Sequence, residues 1–333
     1  MKLLLIGGTS FVGRAAVEGA VDRGHEVTVF HRGEREPADL AELAGIEHIH
    51  GDRDGGLDAL RGRAWDAALD TCGYVPRVVR DSTRSLADAV GTYGFVSSLS
   101  VLPDDAMAGA NDDTPVHQPP FPQTEEITNG SYGPLKVACE LEAQAAFPGR
   151  CLVIRPGYVV GPHDPTDRFT YWVRRVSDGG EMAAPEPRDE ALQVVDARDL
   201  AAFMLDHLEA GTDGTFGVVG PGEPLTWSAF LDTVLRTAGA DTAVTWILGD
   251  VLRSELGDEL EASLPLWDVA YPGLHRYDAS RAIAAGLRHR PLAETIEDLL
   301  AWDRARGQTW PMKAGLTPER ETRLLQAWHA ASG

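Results

Sequence analysis

The chain has 333 residues, three cysteines and a formal net charge of −21. That length suits one large α/β domain with a smaller second region, and cysteines without paired spacing point to a reducing, cytoplasmic setting rather than a disulfide framework. The acidic balance disfavours nucleic acid and anionic membranes, no apolar run reaches spanning length and the apolar start is too short for a signal peptide, which leaves a small molecule as the expected partner.

Residues 2–6 form a short apolar run of the kind a buried parallel strand carries. Gly7 and Gly8 permit a tight turn, and from about Ser10 the pattern becomes helical, with Val12, Ala15 and Ala16 near one face. Gly24 is placed to end that helix, and residues 25–30 read as a second strand. A strand, glycine turn, helix and strand within about thirty residues is the setting of a dinucleotide fingerprint. Gly7, Ser10 and Gly13 take the three fingerprint positions, with Thr9, Phe11 and Val12 between them, and the helix start offers its N–H groups to a pyrophosphate. The second strand runs into His31 and Arg32, with no acid before Glu34. A basic residue there suits a ribose 2′-phosphate, so NADP(H) is expected over NAD(H), with Arg32 as its ligand and His31 or Arg35 assisting.

Further strands are expected at 47–50, 67–70, 94–98 and 151–154, with helices at about 75–90 and from Tyr132 to about Phe147. Alternating strands and helices argue a doubly wound parallel sheet, with ligands beyond the strands' carboxyl ends. Asp52 and Arg53, then Thr71, Cys72 and Gly73, then Ser97 and Ser98 all fall at such ends. A Rossmann domain is therefore expected over 1–160 with contributions from about 190–220. Residues 161–189 and 221–333 would form a smaller, mostly helical substrate region, in which 162–187 reads as irregular around an aromatic-basic segment, 168–175. His48 and His50 alternate on one strand, but no Cys or carboxylate completes a set, and no metal is expected.

Tyr132 and Lys136 lie at i and i+4 in SYGPLK and share a helix face. A phenol with an unperturbed pKa of about 10 is a poor proton carrier at neutral pH, and a nearby ammonium favours its phenolate. Lysine is otherwise confined to Lys2 and Lys313 among 30 basic residues, so this placement is conspicuous.

With IGGTSFVG (6–13), GDRDG (51–55), FVSSLSVL (95–102), SYGPLK (131–136), IRPGYVVGP (154–162) and VVDARDLA (194–201) in this order, the chain resembles an extended or atypical short-chain dehydrogenase/reductase of the NAD(P)-dependent epimerase/dehydratase group. The resemblance implies Tyr132 as general acid/base, Lys136 on the nicotinamide ribose, and Ser98 on the substrate oxygen. It places Asp52 and Arg53 by the adenine and Pro156 and Gly157 by the nicotinamide, and it implies a homodimer joined by helices at 75–90 and 135–147 with uncovered apolar stripes. Sugar-nucleotide enzymes of the group often carry Asn where this chain has Tyr158, which cannot reproduce an amide's contacts. Tyr158, Arg168 and Tyr171 are the candidate substrate residues; Arg168, Arg174 and Arg175 could hold an anion or simply form a solvated face. The main expectation is an NAD(P)(H)-dependent oxidoreductase exchanging hydride between nicotinamide and a carbinol or carbonyl carbon of a small polar substrate. The alternatives are a sugar or sugar-nucleotide epimerase or dehydratase with tightly held NAD+, and a non-catalytic NAD(P)-binding regulator.

Overall fold

In a computed structural model, residues 1–34, 45–106, 108–120, 124–221, 224–267, 275–307 and 310–332 are described, and Arg35 lies outside them. The backbone divides into a unit of residues 1–159, 195–222 and 277–289 and a unit of residues 160–194, 223–276 and 290–333.

The first unit is built on β1 (Lys2–Ile6), α1 (Phe11–Asp22), β2 (Glu26–His31), β3 (Ile46–His50), β4 (Trp65–Asp70), α2 (Pro76–Leu86), β5 (Val90–Val96), α3 (Asn129–Ala146), β6 (Cys151–Pro156), α4 (Ala197–Glu209) and β7 (Gly214–Val218). Its seven strands pair in parallel in the order β7-β6-β5-β4-β1-β2-β3. Period-2 alternation sends Leu3 and Leu5 of β1 into the core shared with α1 and α4, and Leu4 and Ile6 into the opposite core shared with α2 and α3. All four are buried, each contributing about 1.5–3 kcal/mol of apolar burial. Helices on both faces of a parallel sheet make the fold doubly wound, as expected.

Several expectations need correction. β5 begins at Val90, where the sequence pattern continued a helix; Val90, Thr92 and Tyr93 are buried in the sheet, and α2 stops at Leu86. The edge strand β7 was not expected, because its residues, GTFGV, carry two glycines. The uncovered apolar stripe expected on 75–90 is absent. On α2, Val78, Val79 and Leu86 turn inward, leaving Asp81, Arg84 and Ser85 exposed, whereas on α3 Leu141 and Ala145 are exposed one turn apart, with Ala138 half-buried on the same face.

In the second unit the segment expected to be irregular holds a helix, Arg168–Ser177, and a strand, Gly180–Pro185, parallel to Thr242–Ile247. Trp172 explains the order: its indole is fully buried against Trp227, and its Nε1 donates to the Pro265 carbonyl at 2.7 Å. Among the described residues no helix is long and apolar enough to cross a membrane.

Candidate active site

At the carboxyl end of β1, Gly7 adopts φ +99°, and a Cβ there would stand 2.5 Å from Thr71 Oγ1. A Cβ on Gly13 would meet Gly8 Cα at 2.7 Å, so the first turn of α1 lies against the glycine turn with no room for a side chain. Ser10 is the N-cap residue but its hydroxyl makes no capping bond, so first-turn N–H groups are left for another acceptor. Tight backbone approach plus an uncapped helix start fits a pyrophosphate, with Thr71 and Cys72 alongside.

The end of β2 differs in character. His31 is buried; its Nδ1 accepts the Gly33 N–H at 3.1 Å, so Nε2 donates to His48 Nδ1 at 3.0 Å. The ring is thus built into the turn. Arg32 extends outward and pairs with Glu34 at 3.0 Å.

Asp52 is exposed and accepts the Asp54 N–H at 2.9 Å. Its neighbour Arg53 turns inward. The guanidinium grips fully buried Asp70 through both oxygens at 2.7 Å and donates to Ser82 Oγ at 2.7 Å and Cys72 Sγ at 3.5 Å. Asp70 also accepts from Tyr93 Oη and the Cys72 N–H. Burial pushes the Asp70 carboxyl up, but the Arg53 charge and these bonds outweigh it and hold it below the usual range. Burial raises the Cys72 thiol, which makes it a wall rather than a nucleophile. Arg53, expected at the adenine, is instead a strut beneath the strand ends.

The capping box of Thr128 and Ser131 starts α3, and a Cβ on Gly133 would collide with the Ser100 carbonyl oxygen. That glycine brings the turn bearing Ser98 against the helix bearing Tyr132 and Lys136. Ser98 Oγ accepts the Ser100 N–H at 3.1 Å, and the neighbouring Ser97 Oγ is buried without a hydrogen-bond partner among the described residues. Lys136 is buried, donating to the Gly73 carbonyl at 2.8 Å and the Val96 carbonyl at 2.6 Å. Burial lowers its pKa to about 8, with Cys139, Asp70 and Glu140 partly opposing. One turn further along α3, Glu140 forms a buried two-bond pair with Arg155 of β6, at 2.9 and 2.6 Å. Asp70, Tyr74, Glu140 and Arg155 were not singled out from sequence. The available signal was a charge closing an apolar strand, as in AALD and LVIR, and Glu140 repeating the i+4 step from Lys136.

Pro156 ends β6, the Gly157 N–H donates to the Val218 carbonyl at 3.1 Å, and Tyr158 follows half-buried. Arg168 and Tyr171 belong to the second unit: Tyr171 is 4% exposed within it, while Arg168 is exposed at the helix start. The arginines beside them are internal struts, Arg174 to Asp303 and Arg175 to Glu321. With their guanidinium groups so engaged, neither Arg174 nor Arg175 is placed to hold an anion.

A parallel doubly wound sheet with a glycine-turn helix start and a Tyr132–Lys136 helix beside it defines an extended short-chain dehydrogenase/reductase type of protein. The chain belongs to the NAD dependent epimerase/dehydratase family, whose model matches residues 3–220. Its fold is similar to that of the Bordetella bronchiseptica enzyme WbmG in complex with NAD and UDP (TM-score 0.65, 18% identity, 92% of this chain and 96% of that one). It is also similar to the human epimerase family protein SDR39U1 with NADPH (TM-score 0.60, 19% identity, 90% and 99%). In sequence it is 25% identical over 221 residues to the chloroplast stem-loop binding protein of 41 kDa b of Arabidopsis thaliana, spanning 62% of this chain and about half (55%) of that relative.

Proposed function

We propose that the chain is an NAD(P)(H)-dependent oxidoreductase acting on a carbinol or carbonyl carbon of a small polar substrate. The observation that carries this reading is Lys136, an ammonium buried on the same helix face as Tyr132 and anchored to the Gly73 carbonyl of the turn after β4 and the Val96 carbonyl that ends β5. Bound nicotinamide would supply the hydride exchange. Around it, Gly7–Gly13 would hold the pyrophosphate, Arg32 the ribose 2′-phosphate, and Thr71, Cys72, Gly73, Pro156 and Gly157 the nicotinamide half. Tyr132 would pass the proton to or from the substrate oxygen, Ser98 would donate a hydrogen bond to that oxygen, and cationic Lys136 favours the phenolate of Tyr132. Tyr158 and Arg168 remain the proposed substrate residues, Tyr171 being enclosed within the second unit and closed to a substrate, and the copy number is proposed to be two.

A second reading, an epimerase or dehydratase retaining NAD+, is favoured by the Arg32–Glu34 pair, which keeps a carboxylate near the end of β2, where an acid can bind a ribose hydroxyl. The stem-loop binding in the chloroplast relative's name finds a poor counterpart here: a chain with a formal charge of −21 repels a phosphate backbone.

Extraction of the purified protein and mass spectrometry of any released nucleotide, then titration with NADPH and NADH, tests both. Reversible binding with NADPH tighter supports the first reading. Co-purified NAD+ supports the second and overturns the role given to Arg32.

A further inference from the structure

Tyr74 follows Gly73, whose carbonyl accepts from Lys136. Tyr74 as a residue is 44% exposed, while the residues around it are buried or half-buried. The Lys136 Nζ lies 5.2 Å from the Tyr74 ring centroid and 4.5 Å from that of Phe95, and the Tyr74 ring stands 6.5 Å from that of Tyr132 at 36°. An ammonium removed from water is costly, and two carbonyls replace only part of its hydration. Aromatic faces within about 6 Å attract a cation through the ring quadrupole, most strongly where water is absent.

We infer that Tyr74 is a positioning residue of the candidate active site, closing with Phe95 an aromatic clamp that keeps the Lys136 side chain cationic and aimed along the Tyr132 face of α3. The inference deepens the proposed function and rests on it for its catalytic meaning. The clamp acts through the π face, not the hydroxyl: phenylalanine serves as well as tyrosine, and a leucine of similar bulk does not. The Tyr74 phenol itself is pushed up to about 12 by burial and the neighbouring Tyr132, so it carries no charge in the working range. Other groups acting on Lys136 are Asp70 from β4, Cys139 and Glu140 from α3, Arg53 from the turn after β3, and Cys72 from the turn after β4.

The chain's three lysines make the test direct. In protein carrying 13C-labelled lysine, the Cε signal of Lys136, assigned by its loss in Lys136→Met, is followed against pH. The midpoint is expected to fall in Tyr74→Leu by roughly half a unit to one and a half, and to return to the wild-type value in Tyr74→Phe. An unmoved or raised midpoint in Tyr74→Leu overturns the clamp, as does a Tyr74→Phe midpoint that falls as far as that of leucine. NADPH titration of the same proteins separates the two levels. A wild-type protein that binds no dinucleotide yet shows the shift removes the proposed function and leaves the clamp standing.

Discussion

At Lys136 a charge is buried, fixed by two carbonyls and flanked by aromatic rings, whereas at Arg32 a charge is 61% exposed and paired, among the described residues, with Glu34, itself 64% exposed. Both lie at carboxyl ends of the same sheet. Over-determined surroundings hold the first in one position, so its geometry is a property of the whole unit. The second is a solvent-screened pair worth about 1 kcal/mol at most, so its partner is easily exchanged. On the proposed function, the chemistry would sit where the surroundings are over-determined, and cofactor choice where one surface substitution could alter it.

The largest expected effect tests the rigid end. Tyr132→Phe should lower turnover of a substrate found by screening carbonyl compounds by about 10²–10⁴-fold while leaving the NADPH dissociation constant nearly unchanged. Full turnover in that variant would falsify the assignment of the proton to Tyr132. Next, Asp70→Ala strands the Arg53 guanidinium in the interior and should cost about 3–5 kcal/mol in urea unfolding. Because Asp70 is held below its unfolded pKa, the stability it contributes is present above pH 4 or so and drains as pH falls through its folded value.

Lys136 behaves with the opposite sense. Its folded pKa of about 8 lies below the ordinary 10.5, so between those values the unfolded chain binds more protons and stability rises with pH. That rise, about 3 kcal/mol in full, should flatten in Lys136→Met when unfolding is measured from pH 7.5 to 10.5. If both proteins show the same slope, the lysine is less buried than its partners indicate. Gly13→Ala, forced against Gly8, should weaken dinucleotide binding by about 1–3 kcal/mol in a fluorescence titration. The smallest change falls at the exchangeable end. Arg32→Ala should weaken NADPH roughly tenfold and leave NADH almost untouched, with Glu34→Ala shifting the preference the other way. Equal losses for both nucleotides would erase the contrast between the two ends.

Much of the first unit was legible because its signals are local. The apolar run 2–6, the glycines at 7 and 8 and the helical period after Ser10 each act within a few residues, and the Tyr132–Lys136 spacing alone puts both side chains on one face. The second unit was less legible. The helix Arg168–Ser177 owes its stability to burial of Trp172 and to partners about 130 and 150 residues away in sequence, Asp303 and Glu321, which no window of sequence contains. Arg53 illustrates the same limit inside a recognised motif: GDRDG marks a strand end, but only the approach of β4 and α2 decides that its arginine reaches Asp70 and Ser82.

The sequence by itself determined the doubly wound class, the glycine turn and the shared face of Tyr132 and Lys136, since periodicity and backbone sterics are written residue by residue. Only the tertiary structure decided how those groups are tuned. It buried Lys136 near the rings of Tyr74 and Phe95, brought Asp70 close enough to act on its charge and tied α3 to β6 through Glu140 and Arg155. The reason is physical: desolvation and charge pairing depend on what the folded chain brings within a few ångströms, and those neighbours come from four separate stretches of the chain.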